Sequence, residues 1–446
     1  MGLKDRLDRD RDRDRAGADA DGGVGLYRRR LLEEVDLTEL AELSEPQRRA
    51  RLERVVGRMV SHEGPVLTTV DRARLIRQVV DESIGLGVLE PLLADESVTE
   101  IMVNGPDEIF VERSGQIEPA HVRFGDADQL YQTIDRIVSR VNRRVDESSP
   151  MVDARLPTGE RVNVIMPPLA LAGPTMTIRR FPRLFTLTEL VAEGTVDADT
   201  VTLLRALVRG KMNVVISGGT GAGKTTLLNA LSAAVPPDER IVTIEDSAEL
   251  QLQQPHVVRL EARPPNVEGK GEITIRDLVR NSLRMRPDRI IIGEVRGAET
   301  LDMLQALNTG HEGSLVTVHS NSCDDAMHRL ETLASMSDLR VPFEALRDQI
   351  NNAIQVVLQI DRGADRVRRV TEVAVVASLR RETFRLGTVA RFDAEALRPD
   401  RQVRGSMRHY ALPPAIARHL ALAGEEIPEA FAGEAELSEP PVREVS

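Results

Sequence analysis

Residues of one helix face recur at intervals of three and four positions in the first part of the chain, the spacing typical of amphipathic helices. The first set is Leu52, Val55, Val56, Met59 and Val60, and the second is Leu75, Ile76, Val79, Val80 and Ser83. Ser44 and Gln47 have the spacing of a capping pair before the first helix, and Asp71 is the predicted N-cap of the second. Gly85 and Gly87 are predicted to end the second helix.

Short β-rich runs then replace the helical pattern. The predicted strands are 99–103, 108–112, 153–156, 161–166 and 175–180. Turn residues separate them, such as Asn104-Gly105-Pro106 and Pro157-Thr158-Gly159, and a helix is predicted at 128–143. This alternation predicts a mixed α+β domain that ends near Pro182.

From about Leu187 onward, helical stretches alternate with buried strand-like runs. The runs are 213–217, 240–244, 257–260, 289–292 and 314–318. Runs of this kind separated by helices are typical of a mostly parallel sheet in an α/β domain. The most apolar stretch, 164–173, is interrupted by Pro167 and Pro168, so we predict no membrane span.

Charge and composition narrow the function classes. The 446 residues carry a net charge of −12, contain no Trp and are only 2% aromatic, which argues against a broad nucleic-acid surface. Nothing at the N-terminus is typical of a signal peptide, so a cytoplasmic protein is expected. Cys323 is the single cysteine, which excludes an intrachain disulfide and a cysteine-rich zinc cluster.

A glycine-rich segment between a predicted strand and a predicted helix fits G-x-x-x-x-G-K-[ST]. Its residues are Gly218, Gly219, Thr220, Gly221, Ala222, Gly223, Lys224 and Thr225, with Thr226 next in the helix. Glycines let backbone N–H groups wrap phosphates, and the helix N-terminus adds a favourable dipole. Lys224 would reach the β and γ phosphates of ATP, and the Thr225 hydroxyl would ligate Mg²⁺. The segment therefore predicts an ATP site.

Two further predicted strands end in carboxylates. Glu245 and Asp246 follow one strand, and Glu294 follows another. Acids at strand ends also fit solvated loops or helix caps, but a phosphate loop in the same domain favours a role in holding Mg²⁺ or orienting water.

His319 lies at the end of a third predicted strand, and His311 precedes the same strand. No third ligand has zinc-like spacing, so we favour a phosphate-sensing or water-positioning histidine over a metal ligand. A capping or packing role is the alternative.

These four blocks, in this order, resemble the Walker A loop, Asp box, Walker B segment and His box of the bacterial secretion ATPase superfamily, which serves type II and type IV secretion and pilus machines. The segments 85–93, 98–105 and 177–181 are similar to its CpaF-like branch, which powers tight-adherence pilus assembly. The resemblance covers roughly residues 85 to 380. The four-cysteine zinc motif of many type II secretion ATPases is absent from the sequence.

The resemblance implies a role for each site residue. Glu245 is the implied general base, Glu294 holds the water shell of Mg²⁺, and His319 senses the γ-phosphate. Family members act as hexamers in which N-terminal arginines reach the nucleotide. The candidates in this chain are Arg155, Arg161, Arg179 and Arg180, each of which also fits an ordinary surface charge.

The predicted fold class is α/β, with a C-terminal RecA-like P-loop ATPase domain preceded by a small helical domain and an α+β N-terminal domain. The predicted divisions are a disordered charged tail (1–29), a helical domain (30–93), an α+β, PAS-like domain (94–182), a linker (183–199), the ATPase domain (200–423) and an acidic tail (424–446).

The predicted function is an ATP-hydrolysing hexameric motor, cytoplasmic and docked on a polytopic inner-membrane platform protein, that powers pilus assembly or protein secretion. A DNA-handling P-loop motor of a conjugation-type system is the alternative, and the acidic net charge disfavours it. A nucleotide-dependent scaffold with little turnover is a third hypothesis, which the presence of both Glu245 and Glu294 disfavours.

Overall fold

The computed structural model divides into two compact units, Met1–Pro182 and Arg183–Ser446. It describes residues 24–28, 30–31, 33–35, 40, 43–63, 67–113, 115–141, 143–181, 184–265, 269–397 and 403–433. Most of the predicted N-terminal tail lies outside these ranges. No helix within them is long and apolar enough to cross a membrane.

The first unit begins with helices, the two longest of which pack around one apolar core. Its helices are α1 (Glu45–Glu63), α2 (Thr69–Ile84) and α3 (Glu90–Ala94), with a 3₁₀ turn at Gly87–Leu89. The Ser44 amide donates to the Gln47 side chain over 3.1 Å, as the capping pair predicts. The predicted cap of α2 is wrong by three positions, because Thr68 is the N-cap and its hydroxyl accepts from the Asp71 amide.

The predicted disordered tail is also too long. Residues 24–28 are helical, and Val24 and Tyr27 are buried in the same cluster as Leu52 and Val79. These two apolar side chains lie beyond the Asp/Arg-rich run and have a core to pack against, which explains why the tail prediction fails there. Residues 1–23 lie outside the described part of the chain.

A six-stranded antiparallel sheet forms the rest of the first unit. Its strands are β1 (Val98–Asn104), β2 (Ile109–Arg113), β3 (Gln116–Pro119), β4 (Met151–Arg155), β5 (Arg161–Ile165) and β6 (Thr175–Arg179), in the order β3-β2-β1-β6-β5-β4. Helix α4 (Ala127–Arg140) packs its buried Leu130, Ile134 and Ile137 into the core of this sheet. Asp126 caps the helix, and the helix ends three residues before the predicted boundary.

The predicted linker at 183–199 is wrong, because a helix occupies part of it. Helix α5 (Leu187–Ala192) begins with a capping box in which Thr186 and Glu189 satisfy each other's backbone amides. Leu187 and Leu190 are buried in the core of the second unit. The segment therefore belongs to that unit.

The second unit is built on a nine-stranded sheet. Its strands are β7 (Val214–Ser217), β8 (Ile241–Glu245), β9 (Val257–Glu261), β10 (Arg289–Val295), β11 (Leu315–Val318), β12 (Val356–Arg362), β13 (Arg368–Val376), β14 (Leu386–Leu397) and β15 (Val403–His409). The order is β15-β14-β13-β12-β7-β11-β10-β8-β9. Strands β12, β7, β11, β10, β8 and β9 are mutually parallel, which confirms the predicted α/β class. The antiparallel meander β12–β15 is an addition to that prediction.

Helices cover both faces of the parallel strands. Besides α5, they are α6 (Ala198–Arg209), α7 (Lys224–Ser232), α8 (Ile275–Ser282), α9 (Glu299–Leu307), α10 (Cys323–Ser335), α11 (Phe343–Ala353) and α12 (Pro414–Leu422). Strand β7 shows why both faces are apolar: Val214 and Ile216 enter one core, and Val215 enters the other. Alternation along a strand sends successive side chains to opposite faces.

A buried ion pair ties the base of the sheet together. Arg289 has no exposed surface, and its guanidinium forms a two-point contact with Glu239 at 2.6 and 3.1 Å. The same group donates to the carbonyls of Val208 and Gly313. Each of the three guanidinium nitrogens donates a hydrogen bond, so this charge is tolerated in the interior.

The predicted acidic tail is partly wrong. Residues Glu429–Phe431 form a 3₁₀ turn, and Phe431 is buried against His409 with ring centroids 4.8 Å apart. The Leu412 amide donates to the Phe431 carbonyl. An aromatic residue in an otherwise acidic segment anchors the segment to the core. Residues 434–446 of the predicted tail lie outside the described ranges.

A candidate nucleotide site at the carboxyl edge of the sheet

The loop between β7 and α7 has a backbone that requires glycine. Gly221 and Gly223 have φ angles of 70° and 102°, in the left-handed region that glycine adopts without strain. A Cβ on Gly218 would collide with the carbonyl oxygen of Ile360 in the neighbouring strand β12. The loop is therefore a cradle in which backbone N–H groups and the N-terminus of α7 are available to phosphate.

Lys224 is the first residue of α7 and its side chain folds over this loop. Its ammonium donates to the carbonyls of Gly218 at 2.9 Å and Gly219 at 3.1 Å. Burial lowers the pKa of Lys224, and the nearby carboxylate of Glu294 opposes this shift. Thr225 and Thr226 follow in the first turn and are half-buried. The cation thus lies beside the phosphate cradle and a carboxylate.

Glu245 ends β8 as a nearly buried acid, with 3% of its surface exposed. One carboxylate oxygen accepts the amides of Glu249 at 2.7 Å and Leu250 at 2.9 Å. The other oxygen, Oε1, is buried without a hydrogen-bond partner. Burial raises the pKa of Glu245, and the two backbone hydrogen bonds limit the rise. An oriented carboxylate oxygen with a free lone pair is what a water-activating base needs.

The neighbouring strand makes room for this carboxylate. Gly293 of β10 lies beside Glu245, where a Cβ would come within 2.9 Å of the Glu245 Cγ. Between the pairs Ile292–Val316 and Val295–Val318, β10 has one more residue than β11. Such a bulge re-aims side chains next to functional sites, and here Glu294 is the residue it redirects.

Glu294 is held by an arginine from its own strand end. The Arg296 guanidinium donates to Glu294 at 2.9 Å and also lies 3.5 Å from Asp246. This arginine therefore links the acid near the end of β10 with the acid after β8. No local pattern in the sequence predicts this contact, because side-chain pairing across strands leaves no periodic signal.

His319 follows β11 at the same edge. Val318 pairs with Ser217 on one side and with Val295 on the other, so His319 lies level with the start of the phosphate loop. Its side chain is exposed. His311, by contrast, lies before β11 and contacts the Ala306 carbonyl at 3.2 Å, which fits a packing role.

The donor set at this edge suits a hard cation bound with water. Within the described ranges, no group of three or more His, Cys, Asp or Glu residues is arranged to hold a metal ion. Mg²⁺ at phosphate loops takes a hydroxyl, water and phosphate oxygens instead, and Thr225 with Glu294 fits that pattern. Two hydroxyls of this sheet are buried without partners, that of Ser217 at the end of β7 and that of Thr243 within β8.

The candidate arginines belong to the first unit. Arg155 pairs with Arg161 across β4 and β5, and Arg161 pairs with Arg179 across β5 and β6, so the three lie in a row. Arg180 is different, because its guanidinium donates to the carbonyls of Asp95 and Val98 within the same unit. The row continues to Glu100, the register partner of Arg179 across β1 and β6. Three neighbouring arginines beside one carboxylate leave an excess of positive charge, which attracts anions.

One contact at the loop had no signal in the sequence. Arg368 of β13 donates through Nε to the carbonyl of Gly221 at 3.0 Å. The two residues are 147 positions apart, so only the fold brings them together.

The fold is of the RecA-like α/β class, and a glycine-rich loop between a parallel strand and a helix, with acids at the ends of adjacent strands, is the arrangement typical of P-loop nucleotide-binding proteins. The chain belongs to the type II/IV secretion system protein family, whose model matches residues 82–387.

The chain is also similar to individual proteins. One is a Mycobacterium tuberculosis protein with the name putative conjugal transfer protein, to which the chain is 42% identical. The matched region is 68% of this chain and 87% of that protein. It is 33% identical, over 72% of its length, to 97% of the conjugal transfer protein TrbB of Rhizobium radiobacter. The crystal structure of the Brucella suis VirB11 ATPase in complex with sulphate is 31% identical, covers 64% of this chain and 95% of its own, and has a TM-score of 0.36.

Proposed function

We propose that this protein is an ATP-hydrolysing motor of a type II/IV secretion or pilus machine. The observation that carries the proposal is Glu245 Oε1, a buried carboxylate oxygen without a partner at the same sheet edge as the phosphate loop. A binding-only protein has no need to maintain such an acid, because burying it costs free energy. A hydrolase needs it to orient or deprotonate water.

Each residue of the site then has a chemical role. The loop amides and Lys224 bind the polyphosphate of ATP, and Glu245 accepts a proton from the attacking water. Thr225 would hold Mg²⁺ directly and Glu294 would hold it through water, and the ion would supply positive charge opposite the phosphates. His319, exposed beside the loop, senses the γ-phosphate.

The arginine row supports a site that is completed by assembly. An arginine that stabilises charge on a transferring phosphate is often supplied from a mobile part or a second subunit. Arg155, Arg161 and Arg179 lie side by side in the first unit and fit that role. We propose a homo-hexamer in which the row contributes to the nucleotide site.

Location and partner follow from this function. The motor would work in the cytoplasm, bound peripherally to the inner membrane through a polytopic platform protein. Nucleotide-driven movement of the first unit would transmit force to that platform, for pilus assembly or for protein secretion.

The ATP site is tested by replacing its lysine. Phosphate release and binding of a fluorescent ATP analogue are measured for the wild type, Lys224→Ala and the control Lys270→Ala. We expect Lys224→Ala to lose turnover and most nucleotide affinity, and Lys270→Ala to retain both. Turnover at the wild-type rate by purified, hexameric Lys224→Ala would exclude the proposed site.

A DNA-handling motor is a second candidate, because two of the relatives are named for conjugal transfer. It predicts that DNA stimulates phosphate release and that the stimulation falls steeply as salt rises. The net charge of −12 argues against DNA binding and therefore against this stimulation. Stimulation with a steep salt dependence would favour the DNA motor over the secretion motor.

A further inference from the structure

The hairpin of β12 and β13 lies directly against the phosphate loop. The Ile360 carbonyl of β12 packs where a side chain of Gly218 would lie. On β13, the Cδ of Arg368 would lie 3.1 Å from a Cβ on Gly223. The Arg368 side chain therefore covers the segment from Gly221 to Gly223, which is part of the phosphate loop.

Two arginines of this hairpin face the same side. Arg362 and Arg368 are register partners across the antiparallel pair, so their Cβ atoms are direct neighbours. Their strand neighbours on that side, Ile360 and Val370, belong to the core that also contains the helix after the loop. Arg362 and Arg368 therefore lie on the same face of the hairpin as Ile360 and Val370, two residues closer to the end of the sheet that carries the phosphate loop.

Arg362 and Arg368 have no carboxylate partner within the described ranges, in contrast to Arg369 and Arg391 of the same meander. The side chains of Arg362 and Arg368 are both exposed. Arg369, on the opposite face, forms a two-point ion pair with Asp365 at 2.9 and 2.7 Å. Like charges directly opposite each other destabilise a strand pair unless an anion lies between or beside them.

The hairpin holds Arg368 in place. Asp365 accepts the amides of Val367 and Val403 in addition to Arg369, which fixes the turn against β15. The Gly363 amide donates to Val367 at 2.9 Å and closes the turn. Arg368 thus projects from a rigid element, the arrangement that lowers the entropic cost of binding.

We propose that Arg368, with Arg362 beside it, binds the polyphosphate of the nucleotide held in the phosphate loop of the same chain. This inference rests on the proposed ATP site and adds a cationic contact from the meander to it. Arg368 contributes charge and a planar donor group on the side of the loop opposite to Glu245 and Glu294, since β12 and β13 lie on one side of β7 and β11, β10 and β8 lie on the other. The contact acts on ADP as well as ATP.

The test is equilibrium binding of fluorescent ADP and ATP analogues to the full chain. Arg368→Ala and Arg368→Gln should each raise both Kd values roughly tenfold or more, the range for a lost hydrogen bond to a charged group. Arg368→Lys should keep much of the affinity, and Arg362→Ala should lose less than Arg368→Ala. The control Arg404→Ala, an exposed arginine of the same meander, should bind like the wild type.

A second measurement distinguishes a charge contact with the nucleotide from a purely structural contact of Arg368 with the Gly221 carbonyl. Glutamine keeps a donor for Gly221 but removes the charge, so Arg368→Gln should weaken the salt dependence of Kd while its melting temperature without nucleotide stays near that of the wild type. Wild-type Kd values and salt dependence in Arg368→Gln would overturn the inference. If the wild type itself bound neither nucleotide, the proposed function would fail instead, so the two failures are distinguishable.

Discussion

Glu245 combines two opposing conditions at the residue scale. Its carboxylate is almost fully buried, yet one of its oxygens accepts two backbone amides. Burial favours the protonated form and the hydrogen bonds favour the ionised form. The net result is a raised pKa, which improves a carboxylate as a base at neutral pH.

The pH dependence of turnover follows from this shift. Glu245 acts as a base only when ionised, so kcat/KM should fall on acidification through a pKa above that of an exposed glutamate. Phosphate release measured against pH, with circular dichroism to confirm folding, would check it. A profile that stays flat down to the ordinary pKa of glutamate would contradict the assignment.

The same shift predicts a stability change. The folded state holds the Glu245 proton more tightly than the unfolded state, so stability is lost as pH rises through the folded-state pKa. Glu245→Gln removes that cost and should melt at the same temperature as the wild type or higher near pH 7.5. The difference should vanish below the unfolded-state pKa, and a large drop in melting temperature near neutral pH would contradict it.

Local pattern decides which site residues are predictable. The phosphate loop, Glu245, Glu294 and His319 each stand at the end of a strand whose apolar run is visible in the sequence. Arg368 is unpredictable in this way, because its partner Gly221 lies in a distant part of the chain.

At the scale of secondary-structure elements, helix capping residues show which short helices can be predicted from the sequence. The sequence pattern predicts a linker where helix α5 lies. The Thr186-x-x-Glu189 capping box that begins the helix can nevertheless be recognised in the sequence. The meander from β13 to β15 was not predicted, since its strands carry many exposed polar residues and pair only with each other and β12.

Thr186 should therefore contribute to stability. Its hydroxyl accepts the Glu189 amide at 3.1 Å, and Thr186→Ala should destabilise the chain by about 1 kcal/mol. Thr188 is exposed on the same helix, so Thr188→Ala is the matched control and should change stability little. Urea denaturation of both variants decides the matter, and equal midpoints would argue against the cap.

The Arg289–Glu239 pair should matter more than a surface ion pair. Arg289→Leu leaves Glu239 with only the Lys211 ammonium at 3.9 Å and frees the carbonyls of Val208 and Gly313, so a cost of about 3–5 kcal/mol is expected. The double variant Arg289→Leu with Glu239→Leu should recover part of this loss. A single variant within 1 kcal/mol of wild type in urea would be inconsistent with the buried pair.

Two compact units with separate cores describe the whole molecule. The sequence indicated the change near Pro182, where the antiparallel pattern gives way to alternating strands and helices. Assembly could not be read from one chain, because the surfaces that meet in an oligomer carry no periodic signal.

Assembly should control turnover. In a hexamer, alanine at one or more of Arg155, Arg161 and Arg179 should reduce kcat by roughly 10³-fold, the range for arginines that stabilise transferring phosphate. Arg144 is exposed in the same unit and paired with Asp146, so Arg144→Ala is the control. Native mass spectrometry would verify the hexamer. Wild-type turnover in all three hexameric variants would refute a contribution of the row.

The most direct test of the central claim compares single-turnover ATP hydrolysis by the wild type and Glu245→Gln at matched nucleotide occupancy and oligomeric state. The account predicts equal ATP binding and a hydrolysis rate at least roughly 10²-fold lower in Glu245→Gln. Equal hydrolysis rates in the two proteins would contradict it.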